Sequence, residues 1–275
     1  MKLRDVAKSL LAEKKVDVVI GYEERLGVVS PFFAETPEDA GKLVFNDRCV
    51  NNLTVYLLDP ELKGKKAGIV VKGCDSRALI ELIKQNQVKR DDVYAIGVCC
   101  SGVKDDKKGS RLLYKCGICR YPNPLVYDVL LNDKIDIKAA KVVEDDYSDI
   151  SEIEKMSYSG RREFWKKEFD KCVKCFACRN VCPVCYCKNC VLEDESMVSK
   201  SGDVWMFHLT RAFHVTGRCV SCGECERVCP AGIPLTKLYR KLEKEIKNKF
   251  NYESGINAGD SLPLTTINPG SKEKE

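Results

Sequence analysis

The chain has 275 residues, 44% of them hydrophobic and 32% charged, and its 46 basic against 41 acidic side chains leave a formal charge of +5. That length allows two domains, and a charge so nearly balanced and so evenly spread calls for neither nucleic acid nor lipid as a partner. No stretch approaches the run of about 20 apolar residues that spans a bilayer, which leaves the 17 cysteines as the outlying number. Residues 1–15 read as a charged, amphipathic segment rather than an apolar leader, so the cysteines are expected in a reducing cytoplasm, in a metal-rich protein.

In chain order, residues 2–15 read as a helix, and Val16–Ile20 before Gly21 as a short buried strand. Val28–Phe33 reads as a second extended piece and Asp47–Leu58 as a helix closed by Asp59-Pro60. Ala67–Val71 is a strand, Lys72–Ser76 a tight loop, Arg77–Gln87 a helix and Val93–Val98 the next strand, which runs straight into Cys99-Cys100. Strand, helix and strand in that order make a βαβ unit, so the first domain is expected to be α/β with a mainly parallel sheet. Cys74 and Cys100 then fall at the carboxyl ends of strands, where open α/β sheets place ligands. Residues 132–160, polar and acidic around Glu144-Asp145-Asp146, read as a linker. Helices are expected over Ser159–Asp170, Val204–Val215 and Leu235–Asn248, with a disordered tail over 251–275.

The densest signal lies between Cys172 and Pro230. Cys172-x2-Cys175-x2-Cys178-x3-Cys182-Pro183 recurs as Cys219-x2-Cys222-x2-Cys225-x3-Cys229-Pro230, the run that binds 4Fe-4S clusters in bacterial ferredoxins, where the fourth cysteine ligates the other cluster. The expected sets are therefore Cys172, Cys175, Cys178 and Cys229 for cluster 1, and Cys219, Cys222, Cys225 and Cys182 for cluster 2. A structural zinc site needs only paired C-x2-C knuckles or histidines, and disulfides need an oxidising compartment, so both fit the repeat less well. The domain reading is an α/β domain over 1–150 followed by a 2[4Fe-4S] ferredoxin-like (α+β) domain over 151–250.

Nine cysteines stand outside the repeat. Cys74, Cys100, Cys116 and Cys119 are expected to hold a third 4Fe-4S cluster in the first domain, against the alternative that they are small buried hydrophobes. Cys185, Cys187 and Cys190 make a weaker candidate metal site, with room for a further cluster, zinc or a bracing role. Cys49 stands alone. His208 and His214, six residues apart on an apolar helix, are not placed to share one metal and are given no role.

Lys72-Gly73-Cys74-Asp75-Ser76-Arg77-Ala78-Leu79, Ile96–Cys100 and Cys116-Gly117-Ile118-Cys119 resemble the beta subunits of coenzyme F420-linked hydrogenases and formate dehydrogenases. Gly73 stands where that family often has Pro, and Cys99 precedes Cys100 where another residue is usual. Cys182–Cys187 and the stretch from His214 to Pro230 look like the iron–sulfur subunits that accompany such dehydrogenases and heterodisulfide reductases. The resemblance implies a subunit that relays electrons between a hydrogenase or formate dehydrogenase catalytic partner and a heterodisulfide-reductase-like acceptor. It also implies an alternative, an F420- or flavin-dependent oxidoreductase subunit that carries FAD and binds the hydride carrier in its first domain, although no GxGxxG fingerprint is present. A third class, an assembly protein with purely structural clusters, remains open on sequence grounds.

Overall fold

The computed structural model of the protein describes residues 2–105, 111–137, 145–193 and 204–264. Helix α1 (Leu3–Ala12) buries Leu3, Val6, Ala7, Leu10 and Leu11 on one face, the spacing of an amphipathic helix. Strands β1 (Val18–Arg25) and β2 (Val28–Ala34) form an antiparallel hairpin in which Arg25 pairs with Val28. Its two turn residues, Leu26 and Gly27, have φ of 51° and 78°, the geometry that matches strand twist. Helix α2 (Pro37–Ala40) starts from Thr36, whose hydroxyl accepts the Asp39 amide, and β3 (Leu43–Val44) returns antiparallel to β1.

Strand β4 (Ala67–Val71) is fully buried, α3 (Gly73–Lys84) follows after Lys72, and β5 (Val93–Gly97) lies parallel to β4. The helix begins at Gly73, so Cys74 sits in its first turn rather than in a preceding loop. A small antiparallel pair, β6 (Lys104–Asp105) and β7 (Arg111–Leu112), leads to α4 (Tyr114–Gly117), and β8 (Val129–Leu130) pairs parallel to β5. The sheet order is β2-β1-β4-β5-β8 with β3 on β1. Three of its pairings, β1 with β4, β4 with β5 and β5 with β8, are parallel, so the mainly parallel sheet is borne out.

The helix expected over Asp47–Leu58 is not formed; only Leu53–Leu58 coils, as a 3-10 turn. The carbonyls of Val50 and Asn51, which a helix would use internally, instead accept the ammonium groups of Lys115 and Lys72, each at 2.8 Å. Tertiary cations have outcompeted local helix formation here.

The second half holds α5 (Ser151–Lys155), α6 (Tyr158–Phe169), α7 (Ala177–Asn180), α8 (Val204–Val215), α9 (Glu224–Arg227) and α10 (Leu235–Phe250). Phe169, Phe207, Ala212, Val215, Ile233, Leu235 and Tyr239 build its core around the cysteine turns. Among the described residues no strand follows Leu130, so the α+β expectation for this half gives way to a helical one. The apolar faces of α8 and α10 cover the cysteine turns.

Two further expectations are corrected. The linker region is docked where it is described: Arg240 of α10 is gripped by Asp145 at 2.7 and 2.8 Å and by Asp149 at 2.6 and 2.8 Å, with Tyr147 and Ile150 buried beside them. Its acidic run reads as solvated only while the buried arginine is out of sight. The tail is docked as well, because Asn251 turns the chain at φ 49° and sends Tyr252, Ser254 and Gly255 back onto α3. The remainder of the expected tail, 265–275, and residues 138–144 of the expected linker lie outside the described residues.

Candidate functional site

A cavity of about 290 Å³ opens where the β4–α3 junction, the end of β5 and α4 meet residues 220–222 of the second half. Cys74, Cys100, Cys116 and Cys119 all line it. Cys74 arrives on the first turn of α3. Cys100 follows β5 and is pinned by its own amide to the Pro122 carbonyl at 2.8 Å. The amides of Gly102 and Val103 donate to the sulfurs of Cys100 and Cys116 at 3.4 and 3.3 Å, contacts that favour a thiolate. Burial, then the Asp75 carboxylate, pushes the Cys74 thiol well up, so a cation is needed to displace its proton.

Cations surround that cavity. Lys72 is buried and contacts Asp75 at 2.9 Å, together with the Tyr22 hydroxyl. Burial opposes its charge, but Asp75 and Tyr22 hold its pKa well above the usual lysine value. Lys115, adjacent to Cys116, meets Glu224, between Cys222 and Cys225, at 2.5 Å. Burial would raise Glu224, yet Lys115 and Arg227 bring its carboxyl down to about 2.

The repeated motif makes two further cavities, each of about 20 Å³. Cys172, Cys175, Cys178 and Cys229 line one, and Cys182, Cys219, Cys222 and Cys225 line the other. The fourth cysteine of each motif thus joins the other motif's first three. In both motifs the residues flanking the second cysteine are left-handed: Lys174 and Phe176 at φ 50° and 58°, Ser221 and Gly223 at 52° and 66°. Such turns aim successive amides into a concavity that suits an anion, and the Lys174 amide reaches Cys172 sulfur at 3.4 Å. Cys222 lines both its own cavity and the larger one. The converging sulfurs, the amide donors and the buried cations are a donor set suited to iron–sulfur clusters.

Residues that sequence reasoning passed over complete these walls. Arg211 of α8 is almost wholly buried, donates to the Cys178 carbonyl at 2.9 Å and to the Tyr239 hydroxyl, and lines the cavity of Cys182. A charged side chain on the buried face of an apolar helix was the available signal. His208, one turn earlier, lines the cavity of Cys172. Burial and then the Arg211 charge pull its imidazole down to about 4, so it is neutral near pH 7.

The other cysteines are not gathered in this way. Cys185 lies against Cys182 and lowers that thiol by hydrogen bonding to it, whereas Cys187 is exposed. Among the described residues no set of three or more His, Cys, Asp or Glu side chains is placed to hold a single metal ion, which leaves Cys185, Cys187 and Cys190 without a one-ion site there. Cys49 is buried beside the Asn46 amide, and Cys99 faces Asn132.

Fold and cysteine turns together define an iron–sulfur protein, and residues 168–233 match the 4Fe-4S dicluster domain family. Along nearly its whole length the chain is similar to the F420-dependent formate dehydrogenase subunit beta of Methanocaldococcus jannaschii, at 25% identity over 93% of this chain and 91% of the relative. It is also similar to the F420-dependent formate dehydrogenase 1 subunit beta of Methanococcus maripaludis, at 25% identity over 90% of this chain and 89% of that one. The resemblance to the beta-subunit family read from the cysteine loops is borne out. Among the described residues no helix is long and apolar enough to cross a membrane.

Proposed function

We propose that the chain is the electron-relaying subunit of a formate dehydrogenase-type complex, with three 4Fe-4S clusters bound by the sets Cys172/Cys175/Cys178/Cys229, Cys182/Cys219/Cys222/Cys225 and Cys74/Cys100/Cys116/Cys119. The observation that carries this reading is that each set of four lines one cavity. When bound, such clusters accept and release single electrons over a potential range on the order of a volt. The residues of the chain do the rest: thiolates fix iron, amides donate to sulfur, and Lys72, Lys115 and Arg211 offset negative charge in water-poor surroundings. Cys222, shared between two cavities, makes the contact between the first-domain site and the dicluster region.

The names of the relatives favour a formate-oxidising catalytic partner and F420 as the other redox partner over a hydrogenase or a heterodisulfide-reductase-like module. F420 carries hydride, so a two-electron to one-electron converter such as flavin is required somewhere in the complex. The cavity of Cys74 has about 290 Å³ against about 20 Å³ for each of the others. That surplus favours, as a second reading, a first domain that also admits the carrier or a flavin. Anaerobically prepared protein is expected to contain about 12 irons and as many sulfides per chain, falling to about eight in Cys116→Ser. Eight irons in the unaltered chain overturns the third site; zinc or no metal overturns the whole reading. Flavin released on denaturation would select the second reading.

A further inference from the structure

His208 is 1% exposed, and among the described residues neither of its ring nitrogens has a hydrogen-bond partner. A neutral imidazole carries one N–H donor and one acceptor nitrogen, and burying either unpaired is unfavourable. Its surroundings do not ask for a polar ring. Phe169 stacks on it at 4.4 Å and 15°, and Phe207 meets it edge-on at 5.1 Å. Phenylalanine would satisfy that packing without the penalty, so the nitrogens answer to something else. The ring borders the cavity lined by Cys172, Cys175, Cys178 and Cys229. Arg211, one turn on, lines the cavity of Cys182 rather than this one. The cavity that His208 borders is lined by four cysteine sulfurs, which can act as acceptors.

We infer that His208 donates a ring N–H to a sulfur of the cluster held by Cys172, Cys175, Cys178 and Cys229, and so raises the reduction potential of that cluster alone. The inference rests on the dicluster reading above. A hydrogen bond to sulfur stabilises the more negatively charged, reduced state, and hydrogen bonds to sulfur are among the levers that set cluster potentials. His208 is a positioning residue in this role; the thiolates alone hold iron.

The chain has two histidines, so histidine labelled with 15N tests the idea in the unaltered full-length protein. Pulsed electron paramagnetic resonance of the dithionite-reduced protein is expected to detect a 15N coupling and an exchangeable proton at one cluster, both retained in His214→Gln. In His208→Phe both are lost, iron content is unchanged, and one cluster's midpoint potential shifts negative while the others stay in place. His208→Gln, which keeps an N–H, restores part of the shift. A reduced cluster at this site with no histidine 15N coupling overturns the inference, whether or not His208→Phe folds. So does a His208→Phe protein with full iron and unmoved potentials. The dicluster reading fails separately, if Cys175→Ser loses no iron.

Discussion

Gly73 shows how closely one residue constrains the cavity of the first domain. A Cβ placed there would lie 1.7 Å from the Tyr121 carbonyl oxygen, which belongs to the loop just after Cys119. That oxygen is backbone, so it cannot swing aside as a side-chain tip would; either α3 or the Cys116–Tyr121 loop must move. Gly73→Ala is therefore expected to cost about 1–3 kcal/mol through overpacking and to separate Cys74 from Cys119. Iron analysis should record a loss of about four irons per chain, with the about eight of the repeated motif retained. Retention of all the iron with an unchanged melting temperature would show that the close approach is not what holds those cysteines together. The same contact accounts for a small residue at the position where the family resemblance leads one to expect proline.

Helix α10 is the element that ties the acidic segment to the clusters, and Arg240 is its anchor. Burial alone would raise the Asp145 carboxyl, but the hydrogen bonds from Arg240 and the Tyr147 amide overcome it and leave the group below its ordinary value. A carboxyl with a depressed folded pKa contributes stability that is fully present above its unfolded value of about 3.9 and is lost as pH falls through the folded one. Thermal unfolding of the native chain should thus lose this contribution below about pH 4. Asp145→Asn, which leaves Asp149 and Glu243 as acidic partners of Arg240, is expected to cost about 1–3 kcal/mol near neutrality and to show a flatter acid dependence. Parallel curves for the two proteins would mean that the pair adds nothing on folding. This anchor also marks where sequence reasoning stops. The cysteine repeat, the βαβ unit and the presence of α8 were legible because each depends on spacing within a short window. Arg240 with Asp145, and Lys115 with Glu224, lie 95 and 109 residues apart. Nothing local announces such pairs, and a polar, acidic run reads as solvated linker. The helix expected over 47–58 failed for the same reason, since distant lysines claimed its carbonyls.

At the scale of the whole molecule, the two halves are joined through the wall of the larger cavity rather than by a flexible tether. Arg77 of α3 donates to the Val220 carbonyl at 3.2 Å and to the Ser254 carbonyl at 2.7 Å. Glu81, also on α3, accepts from the Gly255 amide at 2.7 Å and from the Tyr252 hydroxyl at 3.2 Å. Residues 252–255 thus form a strap that holds α3, and with it Cys74, against the loop carrying Cys222. Without the strap, Glu81 and the Arg77 guanidinium lose both these partners and the cover that residues 252–255 give them. A chain ending at Phe250 is therefore expected to melt at lower temperature and to retain about eight irons rather than about 12. A chain ending at Leu264 keeps the strap and should match the full-length protein in both respects. The contrast between the two truncations is the test. Equal iron and equal melting in all three chains would show that the larger cavity is assembled without the strap; loss of iron in the Leu264 chain would place the requirement beyond it.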